Sequence, residues 1–367
     1  MGKRPAKLLY LSPISWNFLK ARPQFIAGYA AENGFEVTYL ARTPWGKGLI
    51  RSRRERLSKT LTAVNICVLP LALRFLLIEK FNNFRLKRLI AREKFDLIIV
   101  GDPRLTGALP DQCPVPVIFD CMDKNPDFYT GKIQEYVRSQ EDNLCRIAAG
   151  IVVSAQKLRD ILVAEYAISP DKISIVRNAA ADDFLTALPD FPADELPPAD
   201  LLYTGTIDHW FDWEAVVNFA RQYPEYTIRI AGPLASQVPD DLPDNIELYG
   251  KVPHSRIAAL IRRARLMIIP FVKNPLIEAV DPVKLYEYLA LGKQVLSAHW
   301  DELDSFLPQK RLHFYRRSEE FASIAAGILD DKTCGHETPD QEFHACNNWN
   351  SRGKAFFNFV RRLTGID

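Results

Sequence analysis

Most short signatures of nucleotide-handling or hydrolytic enzymes are missing from this chain. Its 17 Gly nowhere form Gly-x-Gly-x-x-Gly, which removes the dinucleotide fingerprint of a dehydrogenase. No Gly-x-Ser-x-Gly offers a hydrolase nucleophile elbow, and no P-loop or kinase glycine loop occurs. Six Cys (Cys67, Cys113, Cys121, Cys145, Cys334, Cys346) contain no Cys-x-x-Cys pair. Cysteines so scattered point to reduced thiols in a cytosol, not to a disulfide framework. The longest apolar stretch, 61–73, is interrupted by Asn65 and Pro70, and falls short of the ~20 residues of a spanning helix. Lys3, Arg4 and Lys7 precede only four apolar residues before Ser12 and Pro13. A secretory signal needs about 7–15, so this start reads as a first β-strand. With 47 basic against 45 acidic residues the net charge is only +2. That excludes a uniformly basic nucleic-acid binder, and no nucleic-acid partner is expected.

What is present is ordinary globular composition, 47% apolar and 25% charged. The 367 residues suggest two domains. Apolar runs at 8–11, 37–40, 66–69, 97–100, 117–119, 151–153 and 173–176 alternate with helix-length segments. Continuous apolar strands separated by helices predict a parallel α/β sheet. Residues 178–203 hold six acidic residues, no Lys or Arg, and Pro189, Pro192, Pro197 and Pro198. Such a stretch reads as an exposed connector. The alternation restarts at 201–203, 228–231, 246–249, 266–270 and 294–297. The expected fold is α/β: two Rossmann-like, doubly wound parallel-sheet domains facing a cleft. The boundaries are 1–180, an acidic Pro-rich linker at 181–200, 201–345, and a C-terminal helix within 346–367. In such sheets ligands bind beyond the C-terminal strand ends.

The strongest constellation follows the run at 266–270. Asp281 suits an N-cap and Pro282 the first turn of a helix that Gly292 closes. Val283 and Lys284 then sit in the first turn, where free N–H groups already favour an anion. Glu287 is one turn further on the same face, and its carboxylate can accept two ribose hydroxyls. An ordinary capped helix with an exposed Lys–Glu pair is the other reading of the same spacing.

With its neighbours, this segment resembles the nucleotide-binding helix of two-domain GT-B glycosyltransferases. The likeness is to bacterial family-4-type enzymes of surface polysaccharide synthesis, such as teichuronic acid glycosyltransferases. A xanthan glucuronosyltransferase is more distantly similar. The quoted residues run through most of the chain: Trp16 with Arg22-Pro23-Gln24, Phe119-Asp120-Cys121-Met122-Asp123, Val152-Val153-Ser154, Val176-Arg177-Asn178, Tyr203 to Asp208 with Asp212, and Trp349 with Arg352. The resemblance implies transfer of a sugar from a nucleotide diphosphate sugar, by family habit a UDP-sugar, to a hydroxyl acceptor, with no cofactor and no metal. The chain also lacks Asp-x-Asp. The resemblance places the ribose on Glu287 and the diphosphate on Lys284. Backbone N–H groups of Gly205 and Thr206 would meet the phosphates, with Gly232 also at the nucleotide-sugar site; a tight strand-to-helix turn is the other reading of Gly205 and Gly232. The base would lie near Gly250, Val252 and Pro253. It also implies a last helix that crosses back to the first domain.

Two departures bear on chemistry. The family's Glu eight residues before the ribose Glu is Ala279 here, with Glu278 one step away. Its Arg and Lys after the first strand of the nucleotide domain are missing from 206–214. Lys284 and Lys273 are left to supply positive charge. By analogy with the xanthan enzyme, Asp123 is the expected general base. Asp120 orients a loop or caps a helix, and Arg22 meets a phosphate or forms a surface ion pair.

The small net charge conceals an uneven distribution. Residues 47–94 hold 13 Lys and Arg against three Glu, a net +10. On a helical projection Phe75, Ile78, Leu86 and Leu89 share one face, expected to be core. The opposite face mixes Leu77, Phe81 and Phe84 with Arg74, Arg85, Arg88 and Arg92. Apolar groups among arginines suit an anionic membrane surface, and would bring a cytoplasmic, peripheral enzyme to a lipid-linked glycan at the inner face of the membrane. A solvated face is the competing reading. Cys334, His336, His344 and Cys346 are zinc-type ligands, but their spacing follows no zinc pattern. The resulting expectation is a glycosyltransferase of bacterial surface or exopolysaccharide synthesis. The alternatives are a nucleotide-sugar 2-epimerase of the same fold and a non-catalytic nucleotide-sugar-binding subunit.

Overall fold

The computed structural model describes residues 4–18, 20–46, 51–110, 113–185, 197–335 and 337–366. The chain divides into two compact units, Met1–Arg177 with Trp349–Asp367, and Asn178–Asn348.

The first unit is built on β1 (Ala6–Ser12), β2 (Phe35–Pro44), β3 (Arg53–Arg56), β4 (Leu61–Val68), β5 (Leu97–Val100), β6 (Val117–Cys121), β7 (Gly150–Val153) and β8 (Ile173–Ile175). Its helices are α1 (Arg22–Glu32), α2 (Leu76–Ile90), α3 (Gly131–Ile147) and α4 (Gln156–Tyr166). The strand order is β3-β4-β2-β1-β5-β6-β7-β8. All pairings are parallel except the β3–β4 hairpin at the edge. β5, β6 and β7 are buried along their whole length, which is why they read as unbroken apolar runs.

The second unit contains β9 (Ala199–Thr204), α5 (Trp213–Gln222), β10 (Ile228–Ala231), β11 (Ile246–Gly250), α6 (His254–Arg263), β12 (Ala264–Ile269), α7 (Val283–Ala290), β13 (Gln294–Ala298), β14 (Leu312–Tyr315), α8 (Ser318–Leu329) and α9 (Gln341–Cys346). Its six parallel strands run β11-β10-β9-β12-β13-β14. The winding therefore reverses between β9 and β12, where a doubly wound sheet opens its ligand crevice.

The chain then returns to the first unit as α10 (Trp349–Thr364). Trp349 stacks on Phe25 of α1 at 4.8 Å, and Phe356, Phe357, Phe359 and Val360 join the buried core of that unit. Gly353 has no room for a side chain, since a Cβ there would lie 2.3 Å from the Tyr29 ring.

Four local expectations are corrected. The strand expected at 66–69 starts at Leu61, and β3 and β14 had no apolar run to announce them. The segment 181–200 begins with a 3-10 turn, Asp182–Leu185, and ends inside β9; residues 186–196 lie outside the described residues. Pro282, not Asp281, occupies the N-cap of α7. On α2, Phe75 and Leu89 are exposed; the buried face is Glu79, Asn82, Asn83, Leu86 and Ile90.

Candidate active site

In the second unit the site is assembled where β9, β10 and β11 end. Gly205 has φ +137°, and a Cβ on Gly232 would meet the Gly205 carbonyl oxygen at 1.7 Å. Both positions thus require glycine, one for backbone conformation and one for approach. Gly205 N–H donates to the Ala231 carbonyl (2.9 Å) and Gly232 N–H to that of Gly250 (2.8 Å). Those two N–H groups are therefore committed to lacing the strand ends together. This corrects the expectation for Gly205. Thr206 N–H has no protein partner among the described residues, so it alone of the pair is open to a phosphate. Gly250, at φ +61°, turns the chain from β11 toward Val252, which is half-buried, and Pro253, which is exposed and begins α6.

α7 delivers the charged groups to this rim. Lys284 Nζ lies 3.2 Å from Tyr203 Oη, 4.8 Å from the centre of the Tyr203 ring and 4.7 Å from that of Phe271. Burial pulls its ammonium down to about 8, with the nearby Glu287 acting against that fall. Glu287 is pushed up to about 8, again by burial, while Lys284 opposes the rise and Asp183 adds to it. The Glu287 carboxylate accepts no hydrogen bond from any described residue. The platform beneath is fixed. Thr204 N–H donates to Tyr288 Oη (2.9 Å), and Tyr203 Oη donates to the Thr206 carbonyl (2.8 Å). Asp281 accepts from Asn178 N–H (2.6 Å) and Tyr286 Oη (2.8 Å), so it ties the loop before α7 to the start of the unit.

Lys273 is placed differently from expectation. Its ammonium lies 3.7 Å from Glu278 and 4.0 Å from Asp301, so its charge is shared with two carboxylates. Ala279 is fully buried. The aromatic wall of Tyr203 and Phe271 around Lys284 was not foreseen. It depends on two strands being neighbours, which no local pattern states.

In the first unit Asp120, at the end of β6, is fully buried. It accepts from Arg22 Nε at 2.9 Å and Tyr10 Oη at 2.6 Å. Arg22 Nη1 also donates to the Val176 carbonyl (2.6 Å), and the residue is only 2% exposed. The pair therefore bolts the start of α1 to β1, β6 and the end of β8. It is neither a surface ion pair nor a helix cap, and both groups are turned inward.

Asp123, three residues on, has no such bonds: no described residue donates to its carboxylate. Burial pushes this carboxyl up to about 6, with Arg22 opposing the shift and Asp120 reinforcing it. A base poised near neutrality, with open lone pairs, can take a proton from a hydroxyl. Its own carbonyl accepts from Asn125 N–H (2.9 Å) and Asn125 Nδ2 (3.0 Å), which shapes the loop. Behind that loop Glu141 accepts from Tyr166 Oη at 2.8 Å, and burial lifts its carboxyl to about 7. Sequence reasoning missed Glu141, which sits mid-helix in a polar run.

The four zinc-type residues are not drawn into one described cluster. Cys334 Sγ faces the Arg265 carbonyl and His344 Nε2 the Ala181 carbonyl. Cys346 is exposed, and His336 lies outside the described residues.

Comparison with known proteins bears on the same two units. Residues 25–184 match the model described as Glycosyltransferase Family 4, and residues 213–334 match the model described as Glycosyl transferase-like. TuaH of Bacillus subtilis (strain 168), named as a teichuronic acid biosynthesis glycosyltransferase, is 22% identical over 274 residues, covering 68% of this chain and 67% of that protein. Among solved structures, a sucrose-phosphate synthase from Thermosynechococcus elongatus superposes with a TM-score of 0.77 at 13% identity, over 99% of this chain and 100% of that one. A trehalose-6-phosphate protein from E. coli, bound with UDP-2-fluoro glucose, gives 0.67 at 11% identity, over 99% and 100%. With two glycosyltransferase models covering most of the chain in order, and whole-chain likeness to solved structures of the GT-B fold, this chain is a family-4-like glycosyltransferase of that fold.

Proposed function

We propose that the enzyme transfers a sugar from a UDP-sugar to a lipid-linked or polysaccharide acceptor in surface or exopolysaccharide synthesis, working peripherally at the inner face of the bacterial cell membrane. The observation that carries the donor half is the unpartnered Glu287 carboxylate one turn from Lys284, beside the laced Gly205–Gly232 turn. Glu287 receives the ribose hydroxyls. Lys284, Thr206 N–H and the N-terminal end of α7 carry the diphosphate charge, so no metal is needed. The base stacks near Val252 and Pro253. The UDP-2-fluoro glucose bound to the E. coli structural relative, and the teichuronic acid biosynthesis for which TuaH is named, support donor and pathway class.

Asp123 takes the proton of the acceptor hydroxyl. Arg22 and Asp120 position the strand end that carries it. The basic-aromatic face from Arg74 to Arg92 holds the enzyme near its acceptor.

The test uses nucleotide diphosphates and one substitution. UDP should raise the melting temperature, since a ligand bound only by the native state stabilises it. Asp123→Asn should keep that shift and lose transfer by about 10²–10⁴-fold. A silent thermal screen would remove the donor assignment, and undiminished transfer by Asp123→Asn would remove the base.

A further inference from the structure

α2 is inverted relative to an ordinary surface helix. Its inward side is largely polar. Glu79 receives Arg42 Nη2 at 2.9 Å, and Asn83 receives Arg42 Nη1 at 2.9 Å while donating to the Arg104 carbonyl at 2.9 Å. Asn82 exchanges two hydrogen bonds with the backbone of Leu69, at 3.0 and 3.1 Å. Its outward side is apolar: Leu77 is 81% exposed, Phe84 54% and Phe81 49%. An amphipathic helix held only by the hydrophobic effect would present the opposite face to water. Directional bonds hold this one the other way round.

The exposed apolar surface continues beyond the helix. Leu69, Leu71, Leu73 and Phe75 are exposed on the loop leading into it. Across the sheet, Pro44 is in register with Val68, and Trp45 N–H donates to the Val68 carbonyl at 2.8 Å. Trp45, 58% exposed, therefore sits beside Leu69 at the same strand ends. So many exposed large apolar side chains on neighbouring segments, rather than scattered singly, mark an interaction surface.

Its border identifies the partner. Arg74 lies over the Phe75 ring and Arg88 over the Phe84 ring, both at 5.6 Å. Lys80, Arg85 and Arg92 are exposed around them. The acidic residues of this helix and its exit do not oppose them. Glu79 is buried on Arg42, and Glu93 is paired with Arg54. Cations ringing aromatic and leucine side chains complement anionic headgroups above an acyl layer. At 15 residues α2 is too short to cross that layer.

We propose that Trp45, the 69–75 loop and the outward face of α2 form one wedge that inserts into an anionic phospholipid bilayer. The wedge occupies the C-terminal strand ends of β2 and β4, the same sheet edge at which β6 delivers Asp123. A lipid-borne acceptor is thereby met at the edge where its proton is removed. This deepens the peripheral membrane role in the proposed function and rests on it for the acceptor; the donor site is independent of it.

The experiment is vesicle flotation of the full chain, with phosphatidylcholine mixed with phosphatidylglycerol and with phosphatidylcholine alone. Binding should need the anionic lipid. Leu77→Ser with Phe81→Ser should weaken it by roughly tenfold or more. Brominated acyl chains should quench Trp fluorescence in the native protein, and Trp45→Phe should abolish most of that quenching. The thermal shift by UDP should be unchanged in all variants, which separates failure of the wedge from failure of the donor site. Equal binding to both vesicles, binding without quenching, or burial of the patch by self-association in solution would each overturn the proposal.

Discussion

The ion pairs behind the first unit's strand ends and the charged rim of the second unit treat charge in opposite ways. In the first, Arg22–Asp120 and Arg42–Glu79 are closed pairs at 2.9 Å, with side chains exposed by less than a tenth. In the second, Lys284 and Glu287 share a half-buried rim, yet Lys284 meets only a phenol and two ring faces, and Glu287 meets no donor. A closed buried pair satisfies itself and fixes geometry. A charge held in a dry site without a strong partner is costly, and a ligand that supplies the partner recovers that cost. Burial alone therefore does not mark a functional residue; a half-buried charged group at a strand end with open acceptor or donor positions is the better candidate. Asp123, to whose carboxylate no described residue donates, belongs with Lys284 and Glu287, whereas Asp120 is closed by Arg22 and Tyr10.

Breaking a closed pair gives the largest effect. Removing one partner of a buried ion pair leaves the other uncompensated, at about 3–5 kcal/mol. Arg22→Met should lower stability by that amount in a denaturant titration, and transfer by the folded fraction should fall as well, because Arg22 positions the strand end that carries Asp123 and opposes the rise of its carboxyl. Were Arg22→Met as stable as the native protein but inactive, Arg22 would belong to the chemistry.

Glu141 tests an intermediate case, a buried carboxyl with neutral hydrogen-bond partners. Its folded value of about 7 lies above the ordinary 4.5. The sign follows: the protonated form suits the fold, so its favourable contribution is present below about pH 4.5 and is lost as pH rises through about 7. At about 1.4 kcal/mol per pH unit of displacement, the effect is on the order of 3 kcal/mol. Glu141→Gln, which keeps the shape and can still accept from Tyr166, should be increasingly more stable than the native protein across that window. Parallel stability curves would show that Glu141 is charged and compensated in the fold.

How far this contrast was legible beforehand differs residue by residue. The strands of both sheets were readable because burial on both faces makes their runs continuous, as at Leu97–Val100 and Ile228–Ala231. Glu287 and Lys284 were readable because helical spacing fixes which side chains share a turn. On α2, periodicity put Leu77, Phe81 and Phe84 outward, as found, but it could not show that Glu79, Asn82 and Asn83 fill the inward face while Phe75 and Leu89 stay exposed. That was decided by Arg42, 37 positions from its partner Glu79. The Arg22–Asp120 bond spans 98 positions, and the aromatic wall at Lys284 depends on Tyr203, 81 away. Polar partnerships at such separations come from strand order, which local pattern does not encode.

The smallest expected effect is the sharpest test of the open rim. Lys284→Met should weaken UDP by roughly 10–100-fold, the worth of about 1.5–3 kcal/mol for a hydrogen bond to a charged group. The pH dependence is more diagnostic, but Lys284 and Glu287 both titrate near 8 and act in opposite directions. Loss of the ammonium weakens the diphosphate contact, whereas ionisation of the carboxyl strengthens the ribose contact. Glu287→Gln removes the second, and the missing carboxylate also lets the remaining ammonium deprotonate more readily. In that background, calorimetric UDP affinity should fall with pH from about 8 or below, approaching tenfold per pH unit. In the double variant with Lys284→Met the slope should vanish. A slope that survives the loss of Lys284 would assign the diphosphate to another cation, and the contrast between closed and open charges would then have to be drawn elsewhere on the sheet edge.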